Sequence, residues 1–215
     1  MKLLLTSEGI TNASIATALL ELLGQPFEKS RATYIPTAAN GEKGDKSWVE
    51  VDMNGIWKLG FLSFDVVDIS IVSKDIWLSS FTKADVLVFG GGNVDYLLTW
   101  MKKTGAAAVL PQLLKTKVYV GISAGSMATA KNISLYQVYE KTKKFDNVNG
   151  LGFVDFEIRP HLNSPSFPKV RLDYLEKISR KTPTTFYAID DASAVQVVDH
   201  KVTVISEGVW KRFNE

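Results

Sequence analysis

The pattern that limits the possible folds most strongly is a run of β-branched and aromatic residues that stops at a glycine-flanked serine. Residues 117–127 read KVYVGISAGSM, with Ser123 between Gly121 and Gly125. G-x-S-x-G is typical of a strand that turns sharply into a helix, because glycines leave room for the cramped backbone beside an outward-facing serine. The small residues that follow predict a helix whose N-terminal amides face Ser123. A structural turn with an ordinary serine gives the same pentapeptide, so the pattern needs its surroundings before it indicates chemistry.

Short apolar segments alternate with amphipathic ones over the first part of the chain. Strands are predicted at 3–7, 31–36, 64–69, 85–89 and 118–121, and helices at 12–23, 48–57, 75–81, 94–103 and 106–115. Such alternation implies right-handed crossovers and a parallel sheet. We therefore expect an α/β fold with a mostly parallel sheet and helices on both of its faces.

The second part of the chain has a different pattern. It predicts a charged loop at 139–150, a helix at 170–181 and strands at 152–159, 184–189, 194–198 and 202–205. The last two strands form a predicted hairpin, so we expect a C-terminal antiparallel extension of the sheet. No linker or internal repeat divides the 215 residues, which predicts a single domain over residues 1–215.

Composition excludes several classes of function. The chain has no cysteine, which excludes disulfides, thiolate metal sites and cysteine nucleophiles. Its net charge is +2 without a long block of one sign, so no nucleic acid or membrane is expected as a partner. The apolar run Leu3–Leu5 is too short for a signal peptide or a membrane span, and we expect a cytoplasmic protein. The five tryptophans are expected to be core or interface anchors.

Three consecutive glycines form the second chemical feature. Gly90, Gly91 and Gly92 follow an apolar strand, and a predicted helix begins after Asn93. Glycines allow bare amides to approach a ligand, as in a phosphate-binding loop or an oxyanion hole. The segment lacks the lysine and the spacing of the known phosphate-binding motifs, whereas both it and Ser123 follow strands of one parallel sheet. This proximity favours an oxyanion hole over a plain tight turn.

The chain has two histidines that could serve as the base for a serine nucleophile. His200 lies at the tip of the predicted hairpin, where an exposed turn residue is the simpler interpretation. His161 follows Pro160 at the end of a predicted strand, the place where open α/β sheets carry their sites. We therefore predict His161 as the base, with a loop histidine that caps its own strand as the structural alternative.

A histidine base is usually oriented by an acid that accepts its other ring N–H. Asp190 and Asp191 both follow the apolar run at 186–189 and lie at a predicted strand end. We predict Asp191 as the acid, with Asp190 as the second choice. Asp155 and Glu157 alternate on the strand before His161 and are interpreted as an exposed strand face.

Taken together, these motifs resemble a known family. The GGGN before a helix, the GISAGS turn, the strand ending in Pro-His and the acid before a strand of small residues resemble the aspartyl dipeptidase (peptidase E) family of serine peptidases, to which cyanophycinase is related. The resemblance extends from Leu3 to about Val204. It implies a fold similar to class I glutamine amidotransferases, flavodoxin-like in its sheet, with serine in place of their cysteine nucleophile.

The resemblance also implies roles for individual residues. Ser123 matches the nucleophile, His161 the base and Asp191 the acid, at a position where relatives often carry glutamate. Gly92 and Ala124 match the amide donors of the oxyanion hole. Asn93 and Arg171 are the positions expected to contact the substrate, since Arg171 is the nearest match to an arginine that reads an aspartyl side chain.

The activity implied is hydrolysis of short peptides through an acyl-enzyme on Ser123, without a metal or cofactor, by a monomer or a homodimer. Two other classes remain open. One is a catalytically inactive relative that binds a small ligand at the same sheet edge. The other is an esterase of the α/β-hydrolase type, which would require His200 as the base.

Overall fold

The fold is built on a seven-stranded sheet with a second, smaller sheet beside it. The computed structural model describes residues 1–135 and 149–214. In chain order the strands are β1 (Lys2–Thr6), β2 (Arg31–Ile35), β3 (Ser63–Val66), β4 (Val86–Phe89), β5 (Val118–Ile122), β6 (Glu157–Arg159), β7 (Phe186–Ile189), β8 (Ser193–Val198), β9 (Lys201–Ser206) and β10 (Trp210–Phe213). The large sheet has the order β3-β2-β4-β5-β1-β8-β9, and the small one β10-β7-β6.

Helices cover both faces of the large sheet. They are α1 (Ala13–Leu23), α2 (Ser47–Trp57), α3 (Lys74–Lys83), α4 (Val94–Thr104), α5 (Ala106–Leu113) and α6 (Ala124–Met127), whereas α7 (Leu172–Ser179) packs against the small sheet. Because side chains alternate along a strand, β1 directs Leu3 and Leu5 to one face and Leu4 to the other. The first face packs against α3, α4 and α5, and the second against α1 and α2. The predicted α/β fold is confirmed.

Strand pairing brings the predicted motifs to one edge. Strands β1, β5, β4, β2 and β3 are mutually parallel along the sheet, and Phe89 of β4 pairs with Gly121 of β5. The glycine loop after β4 and the turn after β5 therefore emerge side by side at the carboxyl edge. In the small sheet β6 and β7 are also parallel, so His161 and Asp191 follow neighbouring strand ends.

The C-terminal part differs from its prediction in detail. The expected hairpin is present, because β8 and β9 are antiparallel and join the large sheet beside β1. The strands β6, β7 and β10 instead form a separate mixed sheet, and β10 was not predicted. Its sequence WKRF has two charged residues between two aromatic ones, so it lacks the strict alternation of a half-buried strand and is too short to identify from pattern. Most of the predicted loop at 139–150 lies outside the described residues.

One local prediction is wrong, and two others gain detail. The helix predicted after Ser123 is present, and it ends at Met127 because the backbone at 128–130 turns to bond the segment 151–153. Glu157 is buried rather than exposed, and it accepts hydrogen bonds from Ser134 Oγ and Leu135 N. Burial raises the pKa of this carboxyl, although the two hydrogen bonds oppose the shift. Among the tryptophans, Trp77 is fully buried in the core, whereas Trp57 and Trp210 are 62% and 43% exposed, and their expected part in an interface stays a prediction.

No helix among the residues described is long and apolar enough to cross a lipid bilayer.

Candidate active site

Ser123 occupies a strained turn between β5 and α6. Its backbone has φ 47° and ψ −103°, outside the regions that non-glycine residues usually adopt. The flanking glycines make the turn possible, since a Cβ at Gly121 would lie 2.5 Å from Ser126 N and one at Gly125 would overlap the Phe89 carbonyl. The Ser123 N–H donates to Thr6 O at 3.1 Å, which ties the turn to β1. The result is a fixed, partly exposed hydroxyl at the carboxyl edge of the sheet.

Three predicted residues meet in a hydrogen-bonded chain at this edge. His161 Nε2 lies 2.9 Å from Ser123 Oγ, and His161 Nδ1 lies 2.8 Å from Asp191 Oδ1. His161 adopts a left-handed backbone with φ 64°, and the N–H of the next residue, Leu162, donates to Ile189 O. The turn after β6 therefore directs the imidazole across the top of the sheet to Ser123.

The charge of Asp191 fixes the tautomer of His161. Burial would raise the pKa of this carboxyl, but hydrogen bonds with His161 and Ser7 and the nearby His161 charge outweigh that effect and hold it below its usual value. An ionised carboxylate only accepts hydrogen bonds, so the proton lies on Nδ1 of the neutral imidazole. Nε2 is then free to accept the Ser123 hydroxyl proton, as a general base requires.

Two unused amides lie near the Ser123 side chain, one from the glycine loop and one from the residue after Ser123. Gly90 N–H donates to Ile35 O and Asn93 N–H to Ala38 O, whereas the N–H groups of Gly92 and Ala124 donate to no group in residues 1–135 and 149–214. Gly92 has φ 125°, and a Cβ there would collide with the backbone of Ala38. Nearly all amides in a folded protein have partners, so two unpaired donors at one edge are available to a bound oxyanion.

A known protein family matches almost the whole chain. The model of peptidase family S51 matches residues 3–205. This chain belongs to peptidase family S51. An uncharacterized peptidase of Listeria monocytogenes is 31% identical over 167 residues, 76% of this chain and 80% of the relative. An uncharacterized peptidase of Pasteurella multocida is 28% identical over 189 residues, 86% and 89% of the two chains.

Two solved structures share the fold of the S51 peptidase. The crystal structure of a candidate peptidase E protein from Listeria monocytogenes EGD-e aligns with a TM-score of 0.79 at 26% identity, over 96% of this chain and 98% of that one. The structure of a peptidase from an acI-B1 actinobacterium aligns with a TM-score of 0.66 at 19% identity, over 99% and 93%. The second likeness shows the fold alone.

Ser7 is a residue of this S51 peptidase that the sequence analysis missed. It follows β1 and is fully buried. Its Oγ donates to Asp191 Oδ1 at 2.6 Å and accepts the backbone N–H of His161 at 2.7 Å. One hydroxyl therefore joins the acid to the backbone of the histidine. The signal was available, because Ser7 is a polar residue at the carboxyl end of a buried strand, like the residues that were chosen.

An aromatic ring covers the imidazole from the loop at 163–168. The rings of Phe167 and His161 stack with centroids 4.2 Å apart and planes inclined by 7°. The loop is held by the Asn163 N–H, which donates to Val170 O at 2.7 Å. Phe167 is still 43% exposed, so its second face is open to a ligand.

Two further carboxyl groups lie near Ser123 in the S51 peptidase. Asp52 of α2 is buried and lies below the glycine loop, with Trp48 of the same helix against Gly91. Burial raises the pKa of Asp52 to about 7, while the Gly91 amide and the Tyr34 hydroxyl oppose the shift and the charge of Glu8 adds to it. The pKa of Glu8 is raised by partial burial and by Asp191, and His161 opposes that shift.

The other predicted residues have different surroundings. Asp190, the second choice for the acid, accepts hydrogen bonds from Ser193 Oγ and Val209 N and shapes the turn before β8. His200 lies exposed at the hairpin tip between β8 and β9. The Asn93 side chain caps α4 by accepting Tyr96 N–H. Arg171 is exposed at the start of α7, and among the described residues no hydrogen bond joins it to the Ser123 chain.

Proposed function

We propose that this S51 peptidase is a serine-type dipeptidase that hydrolyses short peptides through an acyl-enzyme on Ser123. The observation that carries the proposal is the continuous hydrogen-bonded chain, with His161 Nε2 at 2.9 Å from Ser123 Oγ and Nδ1 at 2.8 Å from Asp191. A serine hydroxyl is a weak nucleophile unless a base stands within such a distance. This constellation is recognised by geometry and roles, and here its members come from three separate strand ends.

In the first step Ser123 Oγ attacks the peptide carbonyl carbon while His161 Nε2 takes the hydroxyl proton. Asp191 keeps the imidazole oriented and stabilises the positive charge that it gains. The carbonyl oxygen becomes negative and accepts hydrogen bonds from the Gly92 and Ala124 amides. Such a donor contributes about 3 kcal/mol to transition-state stabilisation where one has been removed.

The tetrahedral intermediate then collapses. The C–N bond breaks, the leaving amine takes the proton from His161, and the acyl group stays on Ser123. A water molecule gives its proton to His161 Nε2 and attacks the ester, and the same two amides hold the second oxyanion. Release of the acid returns the proton to Ser123 Oγ, so the imidazole acts alternately as base and acid.

Short peptides fit the surroundings of Ser123 better than folded proteins. Phe167 covers one face of His161, Trp48 lies against Gly91, and Asp52 lies below the loop. These groups lie on the residues next to the hydroxyl and restrict the space in which a substrate chain can extend from it. We infer that the substrate is a dipeptide or a similarly short peptide.

The test combines covalent labelling with turnover. A fluorophosphonate should label the wild type at Ser123, identified by mass spectrometry, and Ser123→Ala should lose both labelling and hydrolysis of a dipeptide panel, by at least about 10⁴-fold in kcat. The matched control is Ser14→Ala, an exposed serine of α1 that should behave as the wild type. An unlabelled wild type, or hydrolysis that survives in Ser123→Ala, would refute the proposal and favour a ligand-binding relative.

A further inference from the structure

A buried carboxylate supports the glycine loop from the side opposite the substrate. Asp52 is 6% exposed, and its Oδ2 accepts a hydrogen bond from Tyr34 Oη at 3.3 Å. The Gly91 amide faces the same carboxylate and favours its charged form. A Cβ placed on Gly91 would lie 3.8 Å from Asp52 Oδ2 and 3.5 Å from Ser123 Cβ, so Gly91 lies between the carboxylate and the nucleophile's side chain and is near both.

The amides of this loop have different partners. Gly90 and Asn93 are held by the carbonyls of Ile35 and Ala38, at 3.0 Å and 2.9 Å. Gly91 N–H donates to no backbone carbonyl among the described residues and lies beside the Asp52 carboxylate, whose Oδ2 is 3.8 Å from the Cβ position of Gly91. Gly92 N–H is left for the oxyanion. The torsions of Gly91 set the plane of the Gly91–Gly92 peptide and hence the direction of the Gly92 N–H. Glycine has the widest choice of torsions, so that direction requires an anchor.

We propose that Asp52 is a positioning residue, which anchors Gly91 so that the Gly92 amide points at the carbonyl oxygen of the acyl group on Ser123. The inference rests on the serine mechanism proposed above. Tyr34 has an accessory part, since its hydroxyl orients the carboxylate and occupies the space where a Cβ of Gly90 would lie.

The free energy that burial of the Asp52 carboxylate costs supports a functional role for this residue. A buried carboxylate is unfavourable unless it is paired, and an apolar residue at this position of α2 would avoid the cost. Buried titratable groups with shifted pKa values are common at functional sites, where the surroundings favour the reaction at the expense of stability. Asp52 packs between α2 and the loop next to Ser123, which is such a place.

The test compares three substitutions of Asp52 by their reaction with diisopropyl fluorophosphate. In this reaction Ser123 Oγ forms a bond to phosphorus, the P–F bond breaks, fluoride leaves and the hydroxyl proton moves to His161. The phosphoryl oxygen occupies the oxyanion position, so the rate reports the Gly92 amide without any knowledge of the peptide substrate. The rate constant for labelling and the affinity of the reversible complex are measured separately.

Asp52→Ala and Asp52→Leu should lower the labelling rate constant about 10- to 100-fold while the affinity of the reversible complex changes less than about twofold. Leucine fills the space of the carboxylate but cannot accept the Gly91 N–H, so it separates anchoring from packing. Asp52→Asn keeps an acceptor oxygen and should retain at least about a third of the wild-type rate. Thermal unfolding and circular dichroism establish that each variant is folded.

The possible outcomes separate this inference from the proposed function. Labelling of the wild type together with unchanged rates in Asp52→Ala and Asp52→Leu would overturn the role of Asp52 and leave the serine mechanism intact. A labelling rate constant of Asp52→Asn as low as that of Asp52→Ala would also overturn this role, because the acceptor oxygen would then make no difference. A wild type that is never labelled would overturn both.

Discussion

A single hydroxyl connects two members of the hydrogen-bonded chain. Ser7 Oγ contacts Asp191 Oδ1 and the backbone N–H of His161. It lies 3.4 Å from His161 Nδ1, so its removal would also change the surroundings of the ring. The His161 backbone is left-handed, and a fixed partner for its N–H helps to keep it there.

Ser7→Ala should lower kcat/KM for the best dipeptide by about 10-fold and lower stability by about 1–3 kcal/mol, because the buried His161 N–H loses its acceptor. Urea unfolding and steady-state kinetics measure the two effects. Ser14→Ala serves again as the control. Wild-type kinetics in a folded Ser7→Ala protein would show that the acid and base need no such support.

Asp52 should make stability depend on pH in a defined direction. Its pKa in the folded protein, about 7, lies above the ordinary value of 3.8. The folded state therefore binds the proton more tightly than the unfolded chain, so stability falls as pH rises from about 4 to about 7, and the full penalty remains above that range. The Glu8 charge adds to this penalty, and the Tyr34 hydroxyl reduces it.

Asp52→Asn removes this titration. It should be at least as stable as the wild type at about pH 8, and its advantage should shrink as the pH is lowered to about 4, with about 1.4 kcal/mol for each unit of pKa difference. Urea unfolding at several pH values measures the trend, with the exposed Asp155→Asn as control. An advantage that stayed constant over the whole range would contradict the assigned burial of charge.

The sequence identified the residues at strand ends and missed those whose role depends on packing. Ser123, His161 and Asp191 each follow an apolar strand, and a parallel sheet brings such positions together. Asp52 lies within a helix, and nothing in its neighbours along the chain indicates that the helix packs below the glycine loop. Asn93 was expected to contact the substrate, but an asparagine before a helix is also a common cap, and here it caps α4.

The loop at 163–168 acts on the site through one aromatic contact. Phe167 stacks on His161 almost in parallel, and the loop is closed by bonds from Asn163 N–H to Val170 O and from Val170 N–H to Phe167 O. The stack limits rotation of the imidazole out of line with Ser123. It also removes water from one face of the ring.

Phe167→Ala should lower kcat/KM by about 2- to 10-fold, the equivalent of the 0.5–1.5 kcal/mol that an aromatic pair contributes. Phe167→Tyr keeps the ring and is the matched control, expected within about twofold of the wild type. Both variants are compared by dipeptide hydrolysis and by labelling with a fluorophosphonate. Equal activity of the alanine variant and the wild type would show that the stack has no part in positioning His161.

Elements with strong local signals were predicted closely, and elements defined by distant partners were not. Helix α1 begins after Asn12, which caps it, and ends before Gly24 in a left-handed conformation, both of which are visible in the sequence. The hairpin of β8 and β9 was also visible. The short α6 and the strand β10 depend on segments far along the chain, at 151–153 and 186–189, and periodicity carries no information about them.

The molecule as a whole is slightly basic, but the surroundings of Ser123 are acidic. Glu8, Asp52 and Asp191 all lie close enough to influence one another or His161. Glu8 is exposed at the end of β1, so its charge is the one that an incoming peptide meets in solvent. An acidic first residue in the substrate would be repelled there, and screening by salt would weaken the effect.

Glu8→Gln should raise kcat/KM for dipeptides with an acidic first residue by about threefold relative to those with a neutral one, most clearly at low salt. The ratio for a basic first residue should fall by a similar factor. Glu21→Gln, an exposed position on α1, is the control. Unchanged ratios in Glu8→Gln would show that Glu8 has no influence on the choice of substrate.

The position of β1 within the large sheet affects how the polypeptide is made. This strand lies between β5, which is parallel to it, and β8, which is antiparallel. Synthesis runs from the amino to the carboxyl end, so β1 leaves the ribosome long before residues 193–198. Until those residues arrive, one edge of β1 lacks its partner strand, and an unpaired strand edge of this kind offers its N–H and C=O groups to other chains.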